Sequence, residues 1–183
     1  MEGLSPELAQ LRQEFYKTTV SPVYRKTLDK SFAKWEALGK GKPAPDFTGV
    51  TANGDSVSLQ SLKGKVVYID VWATWCGPCR DEFPASKKLV KEFEGNDKVV
   101  FLYVSVDQDV KAWKKMLRDG QAPAGMHINQ QTDVAGSIWE KYHLWGIPRY
   151  IMVDKNGKML EAHAARPSSG KVAAAIRMQL KDS

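Results

Sequence analysis

The sequence predicts an α/β fold: a central mixed β-sheet flanked by helices, with a short β-hairpin ahead of it and a helical extension at the N-terminus. Residues 65–72 and 98–106 are near-continuous runs of β-branched and aromatic side chains, as strands buried on both faces require. Each is followed by a stretch of helical periodicity, the alternation expected of a βαβ unit with parallel strands. Upstream, residues 39–45 are rich in glycine, lysine and proline and separate these elements from a purely helical pattern.

That helical pattern comprises Leu4, Leu8, Leu11, Phe15, Leu28, Phe32, Trp35 and Leu38, which recur at helical spacing. Ser5-Pro6 and Ser21-Pro22 read as helix starts, so two helices are expected. A chain of 183 residues holds one good core plus an appendage. The division expected is a helical extension and linker over residues 1–42 and a main domain over 43–183.

Within the main domain, residues 46–50 and 56–59 flank Ala52-Asn53-Gly54-Asp55, and Asn-Gly is a strong hairpin signal because both residues tolerate positive φ. After the first buried strand comes a helix over 80–94, which Pro84 is expected to bend by removing a donor. A helix over 108–118 follows the second strand. Residues 119–131, with two glycines and a proline, read as a surface connection. A helix near 133–143, a strand at 149–153, a turn at Asp154-Lys155-Asn156-Gly157, a strand at 158–163 and a closing helix from Ser169 complete the pattern.

Charge excludes some functions. The 27 basic and 21 acidic residues give a net charge of +6, but they are interspersed without a block of one sign, so neither nucleic acid nor a membrane surface is an expected partner. No stretch approaches the roughly 20 apolar residues of a membrane span. The opening residues lack the basic and apolar regions of a signal peptide, so any export signal is expected to have been removed ahead of them.

Only two cysteines are present, three positions apart, which is too close to cross-link distant parts of a fold and leaves local chemistry. Trp75-Cys76-Gly77-Pro78-Cys79-Arg80 places Cys76 just before a helix and Cys79 in its first turn. Backbone N–H groups and the helix dipole then face Cys76 and favour its thiolate. A thiolate attacks disulfide sulfur, so Cys76 is the candidate nucleophile and Cys79 the resolving thiol. A zinc site needs about four ligands, and His127, His143 and His163 are scattered without ligand spacing. Attached haem needs histidine after the second cysteine, where this chain has Arg80. Neither a metal nor any other cofactor is expected.

The run Asp70-Val71-Trp72-Ala73-Thr74-Trp75-Cys76-Gly77-Pro78-Cys79 resembles thioredoxin. Glu82-Phe83-Pro84 resembles the TlpA/ResA/DsbE branch of bacterial envelope thiol-disulfide oxidoreductases, within the AhpC/TSA-redoxin superfamily. Gly146-Ile147-Pro148 resembles that family's cis-proline loop, and the likeness extends from about Pro43 to the C-terminus. The resemblance implies a thioredoxin-like fold and a cis Pro148 beside the cysteines. It implies that Ile147 offers its backbone to an extended substrate segment, with Trp75 as part of the substrate platform. It also implies that a buried Asp70 helps move the proton of Cys79, with Glu82 as a second acid. Thioredoxin pairs the buried acid with a lysine on the adjacent strand, and residues 101–106 contain none.

By the same resemblance the chain reduces disulfides of other proteins, is recharged by an upstream electron-donor thiol protein, and works in the periplasm or cell envelope, with the cytoplasm as the alternative. Gly77-Pro78 supplies neither charge nor imidazole to the thiolate, which argues against a strong oxidant. Two other readings stand beside it. One is a thiol peroxidase of the peroxiredoxin type, suggested by Ala44-Pro45-Asp46-Phe47, although Ala73 lies where peroxiredoxins place threonine. The other is a non-catalytic thioredoxin-fold binding module of a larger lipoprotein. The extension is open to three uses: docking on the main domain, bridging to another domain, or a dimer contact.

Overall fold

The computed structural model of the chain describes residues 6–18, 21–132 and 135–181, with side chains from residue 10 onward. The expectations resting on Leu4, Leu8 and the Ser5 helix start, and the first two residues of the helix expected over 133–143, lie outside this description.

Two helices open the chain, α1 (Pro6–Thr18) and α2 (Pro22–Ala37). Arg12 of α1 ties them together through Asp29 at 2.7 Å and Glu36 at 3.2 Å. No residue of α2 is fully buried. The glycine-rich stretch that follows is not an open connection. The Gly41 N–H donates to the Met159 carbonyl at 2.7 Å, Met159 donates back to Lys42 at 2.8 Å, and Ala44 donates to Gly157 at 2.9 Å.

The hairpin consists of β1 (Thr48–Thr51) and β2 (Ser56–Ser58), paired antiparallel. Only Gly54 of the Asn53-Gly54 pair adopts positive φ, at 100°, because the loop is closed by Thr51 and Asp55 as a longer turn. The central strands are β3 (Val66–Trp72), buried at every position, and β4 (Val99–Ser105), and they run parallel.

Between them the helix expected over 80–94 is two helices, α3 (Gly77–Asp81) and α4 (Phe83–Glu92), divided at Glu82. Pro84 has no N–H for the Arg80 carbonyl, so the ladder breaks ahead of the proline and restarts with Ser86 bonding Glu82 at 2.9 Å. Helix α5 (Val110–Arg118) is capped by Asp109, whose carboxylate accepts from the amides of Lys111 and Ala112 at 3.0 and 3.1 Å.

The segment expected to be a surface connection contains a strand, β5 (Met126–Asn129), which pairs parallel with β4 and antiparallel with β1. It joins the hairpin to the main sheet. The helix expected over 133–143 is a single described turn, α6 (Ile138–Lys141), capped by Ser137. Strand β6 (Arg149–Val153) runs antiparallel to β3, and β7 (Met159–Glu161) follows it. The closing helix α7 (Val172–Lys181) starts later than Ser169 because Pro167–Ser169 form a tight 3-10 turn and Gly170 adopts a φ of 72°.

The seven strands lie in the order β2-β1-β5-β4-β3-β6-β7, a mixed sheet with β3 at the heart of the core. Gly125 enters β5 at a φ of 147°, and a Cβ there would meet the Phe101 carbonyl and the Tyr103 ring at 2.8 Å. Replacing it strains the backbone and clashes at once. Gly125→Ala is expected to lower the unfolding free energy by about 2–3 kcal/mol, read as a lower urea midpoint at unchanged slope; a loss under about 0.5 kcal/mol would contradict this packing.

Candidate active site

Strand β3 delivers the site. Its last residue, Trp72, is buried, and four residues later Cys76 caps α3. Cys76 and Cys79 are joined as a disulfide with Cα atoms 5.3 Å apart, and both are buried. The Cys76 sulfur accepts the Cys79 N–H at 3.2 Å. Because α3 is only five residues long, the macrodipole behind Cys76 is weaker than the long helix expected from sequence would supply.

The loop between β3 and the cysteines is held by residues the sequence reading did not single out. Asp107, just past β4, is buried and accepts from the Thr74 amide at 3.0 Å, the Thr74 hydroxyl at 2.6 Å and the Ser105 hydroxyl at 2.7 Å. Asn129 of β5 donates to the Ser105 hydroxyl and to the Asp107 carbonyl, each at 3.0 Å. Charge-assisted bonds of this kind fix Thr74, and with it the approach to Cys76. Their one sequence trace is the pairing of small polar residues with Asp107 at the C-terminal end of a hydrophobic strand.

The Ile147–Pro148 peptide is cis. Register pairs Val71 of β3 with Arg149 of β6, so Pro148 and the chain leading to Cys76 meet at one end of the sheet. Trp75 is 68% exposed directly beside Cys76, and Trp145, three residues before Pro148, is 76% exposed. Ile147, between Trp145 and Pro148 in sequence, is half-buried. The structure thus brings Cys76, Cys79, Trp75, Ile147 and Pro148 to one edge.

Asp70 lies within β3, 1% exposed, and neither of its carboxylate oxygens has a hydrogen-bond partner among the described residues. Its register neighbour on β4 is Tyr103, where thioredoxin's lysine would help, and on β6 it is Tyr150, whose hydroxyl is likewise buried and unpartnered. Burial, and then the charge of Glu82, hold the Asp70 carboxyl well above the usual carboxylate range.

Glu82 sits at the break between α3 and α4, buried rather than on a solvated helix face. Ser168 donates to it twice, from its amide at 3.0 Å and its hydroxyl at 2.8 Å, and the Arg166 guanidinium lies 4.0 Å away. Glu82 and Asp70 therefore occupy opposite environments, one satisfied and one desolvated. Among the described residues no group of three or more His, Cys, Asp and Glu is placed to hold a metal ion.

Residues 39–176 match the family model described as Redoxin. The chain belongs to the Redoxin family. It is 34% identical to the thioredoxin-like protein YneN of Bacillus subtilis over 137 residues, 74% of this chain and 78% of that protein. It is 29% identical to the thiol-disulfide oxidoreductase ResA of Bacillus cereus over 130 residues, 71% of this chain and 72% of that one. Among solved structures, a Bacteroides vulgatus protein described as a candidate thiol-disulfide oxidoreductase superposes with a TM-score of 0.71 at 40% identity, covering 78% of this chain and 98% of that one. The thioredoxin domain of another B. vulgatus thiol-disulfide oxidoreductase superposes with a TM-score of 0.65 at 30% identity, covering 75% and 98%. The mixed sheet with Cys76-Gly77-Pro78-Cys79 at its end is a thioredoxin-like fold.

Asp70 makes stability fall with rising pH. Above about pH 3.9 an unfolded chain has released the Asp70 proton while the folded chain still holds it, until the raised folded pKa is passed. Asp70→Asn is expected to remove a slope of up to about 1.4 kcal/mol per pH unit over that window, and to make the protein more stable than wild type at pH 7. Urea unfolding from pH 4 to 8 reads this directly; parallel curves for the two proteins would contradict a buried, protonated Asp70.

Proposed function

We infer that the chain is a thiol-disulfide oxidoreductase that reduces disulfides of other proteins through Cys76 and Cys79. The observation that carries this reading is the paired cysteines at the head of α3, beside a cis-proline and below an exposed tryptophan. In the reduced protein the Cys76 thiolate attacks one sulfur of a substrate disulfide. A mixed disulfide forms and the second substrate sulfur leaves as a thiolate, which takes up a proton. Cys79 then gives up its proton and attacks the Cys76 sulfur, so the first substrate sulfur leaves. Two electrons have passed to the substrate, and Cys76 and Cys79 remain joined, the state seen in this structure.

Asp70 is the group proposed to accept the Cys79 proton. Its desolvated carboxylate, formed transiently, is a stronger base than an exposed one, and Glu82 strengthens it by its own charge. An extended substrate segment lies against Trp75 and takes backbone bonds from Ile147, beside Pro148.

The direction follows from what the thiolate lacks. A strong oxidant stabilises its reduced form. Here Cys76 has one backbone donor, a five-residue helix and uncharged Gly77-Pro78. These favour giving electrons away. The substrates are disulfide-containing proteins, and an upstream dithiol protein returns the electrons. The place of work is the cell envelope, the setting implied by the motif it shares with the ResA-type relatives. Among the described residues no helix is long and apolar enough to cross a membrane.

The test is turnover of insulin disulfides with a dithiol reductant, together with trapping. Cys79→Ser is expected to accumulate a Cys76-linked mixed disulfide that a thiol releases, and Cys76→Ser to lose at least about 99% of the rate, as removal of the attacking group requires. Absence of the mixed disulfide, with rapid consumption of hydrogen peroxide instead, would overturn the assignment in favour of a thiol peroxidase.

A further inference from the structure

The helical extension takes no part in the chemistry above, yet it touches His143, at the start of the loop that carries Pro148, and His163, which contacts Arg149 just after that loop. Trp35, near the end of α2, is half-buried, as are Leu28 and Phe32 of that helix, and it packs against the core of the main domain. Its ring lies edge-on to His143 with centroids 5.8 Å apart, and 5.9 Å from His163 on the far side of the loop in sequence.

His143 is the one non-glycine among the described residues with positive φ, at 49°. The left-handed region disfavours a branching Cβ, so it persists where surrounding contacts hold it. The Arg149 guanidinium in turn lies against the imidazole of His163, in contact with both ring nitrogens, and Arg149 directly follows Pro148. The Arg149 guanidinium lies 5.9 Å from the ring of exposed Trp145. It is buried, and among the described residues no carboxylate lies within ion-pair distance of it. Burial, reinforced by the neighbouring Arg149 charge, pushes the His163 pKa down to about 4, which keeps its ring neutral and able to accept. Contacts therefore run without a gap from α2 through Trp35 to His143 on one side, and through His163 and Arg149 to Trp145 on the other.

We propose that Trp35 is a positioning residue, through which the N-terminal extension holds residues 143–149 in the conformation that presents Trp145 and Ile147 to an extended segment of a protein substrate. The proposal rests on the reading that the cis-proline loop receives the substrate. Residues 143–148 form no helix or strand, so their order depends on side-chain contacts, and a preformed loop binds with less entropy to lose. A small disulfide, which pairs with no strand, needs only Cys76 and is indifferent to this loop.

The experiment compares the full-length wild type with Trp35→Ala, Trp35→Phe and His143→Asn, the last keeping a residue tolerant of the left-handed backbone. Loss of loop order is expected to raise KM for insulin about tenfold in Trp35→Ala and His143→Asn, with kcat within about twofold, while Trp35→Phe stays within about threefold of wild type. The rate with a small aromatic disulfide stays within about twofold, and amide exchange of residues 144–147 accelerates at least about tenfold. Unchanged KM and unchanged exchange would overturn the proposal. So would equal losses on both substrates, the mark of a general structural defect. If wild type failed to reduce insulin while exchange still accelerated in Trp35→Ala, the substrate reading would fall and the mechanical link would stand.

Discussion

The antiparallel register of β3 against β6, with Val71 opposite Arg149, is the constraint on which the site depends. It carries the chain that leaves β3 and the chain that enters β6 to the same end of the sheet, so the cysteines and cis-Pro148 share that end although Ile147 lies 68 positions after Cys79 in sequence. A slip of one position would turn Asp70 and Trp72 to the other face of the sheet. Every residue from Val66 to Trp72 is buried, so that slip would force both faces of the core to repack. The fold thereby fixes the site before any polar contact is made.

Electrostatics then divides the labour. Two buried acids flank the cysteines in sequence, Asp70 on β3 and Glu82 after α3. Ser168 and Arg166 satisfy Glu82, while Asp70 has no donor and is kept neutral. An arrangement in which one acid is hydrogen-bonded and the other desolvated suits proton movement at the thiol of Cys79. The charge of Glu82 does the tuning that a neighbouring lysine performs in thioredoxin, with the opposite sign: it raises the proton affinity of Asp70 and gives no support to the Cys76 thiolate. The first effect suits Asp70 to take a proton, and the second makes the dithiol a better donor of electrons.

The buried strands β3, β4 and β6 were legible because period and composition agree over five or more residues, and the cysteine pair because its spacing admits few other uses. Strand β5 was not. Its four residues, Met126 to Asn129, include His and Asn and follow a glycine-proline stretch, so only pairing with β4 and β1 makes them a strand. The division at Glu82 was expected as a bend at Pro84, since sequence shows the missing N–H but not where the ladder yields. Asp107 holds Thr74, 33 residues earlier, and Trp35 meets His143 and His163 in the other part of the chain, so these partners could not be read from the local patterns in which the two residues lie. The roles of Asp70 and Glu82 came from resemblance, and their burial and partners from the structure.

The most direct measurement is the reduction potential of the Cys76–Cys79 pair, set against a glutathione or dithiothreitol buffer and followed by tryptophan fluorescence, since Trp72 and Trp75 adjoin the disulfide. A value below about −230 mV, toward the thioredoxin figure of about −270 mV, is the result expected of a thiolate so weakly stabilised. A value near −120 mV would mean an oxidant that draws electrons from its substrates, and would contradict the reductase assignment while leaving the fold and the two cysteines as they are.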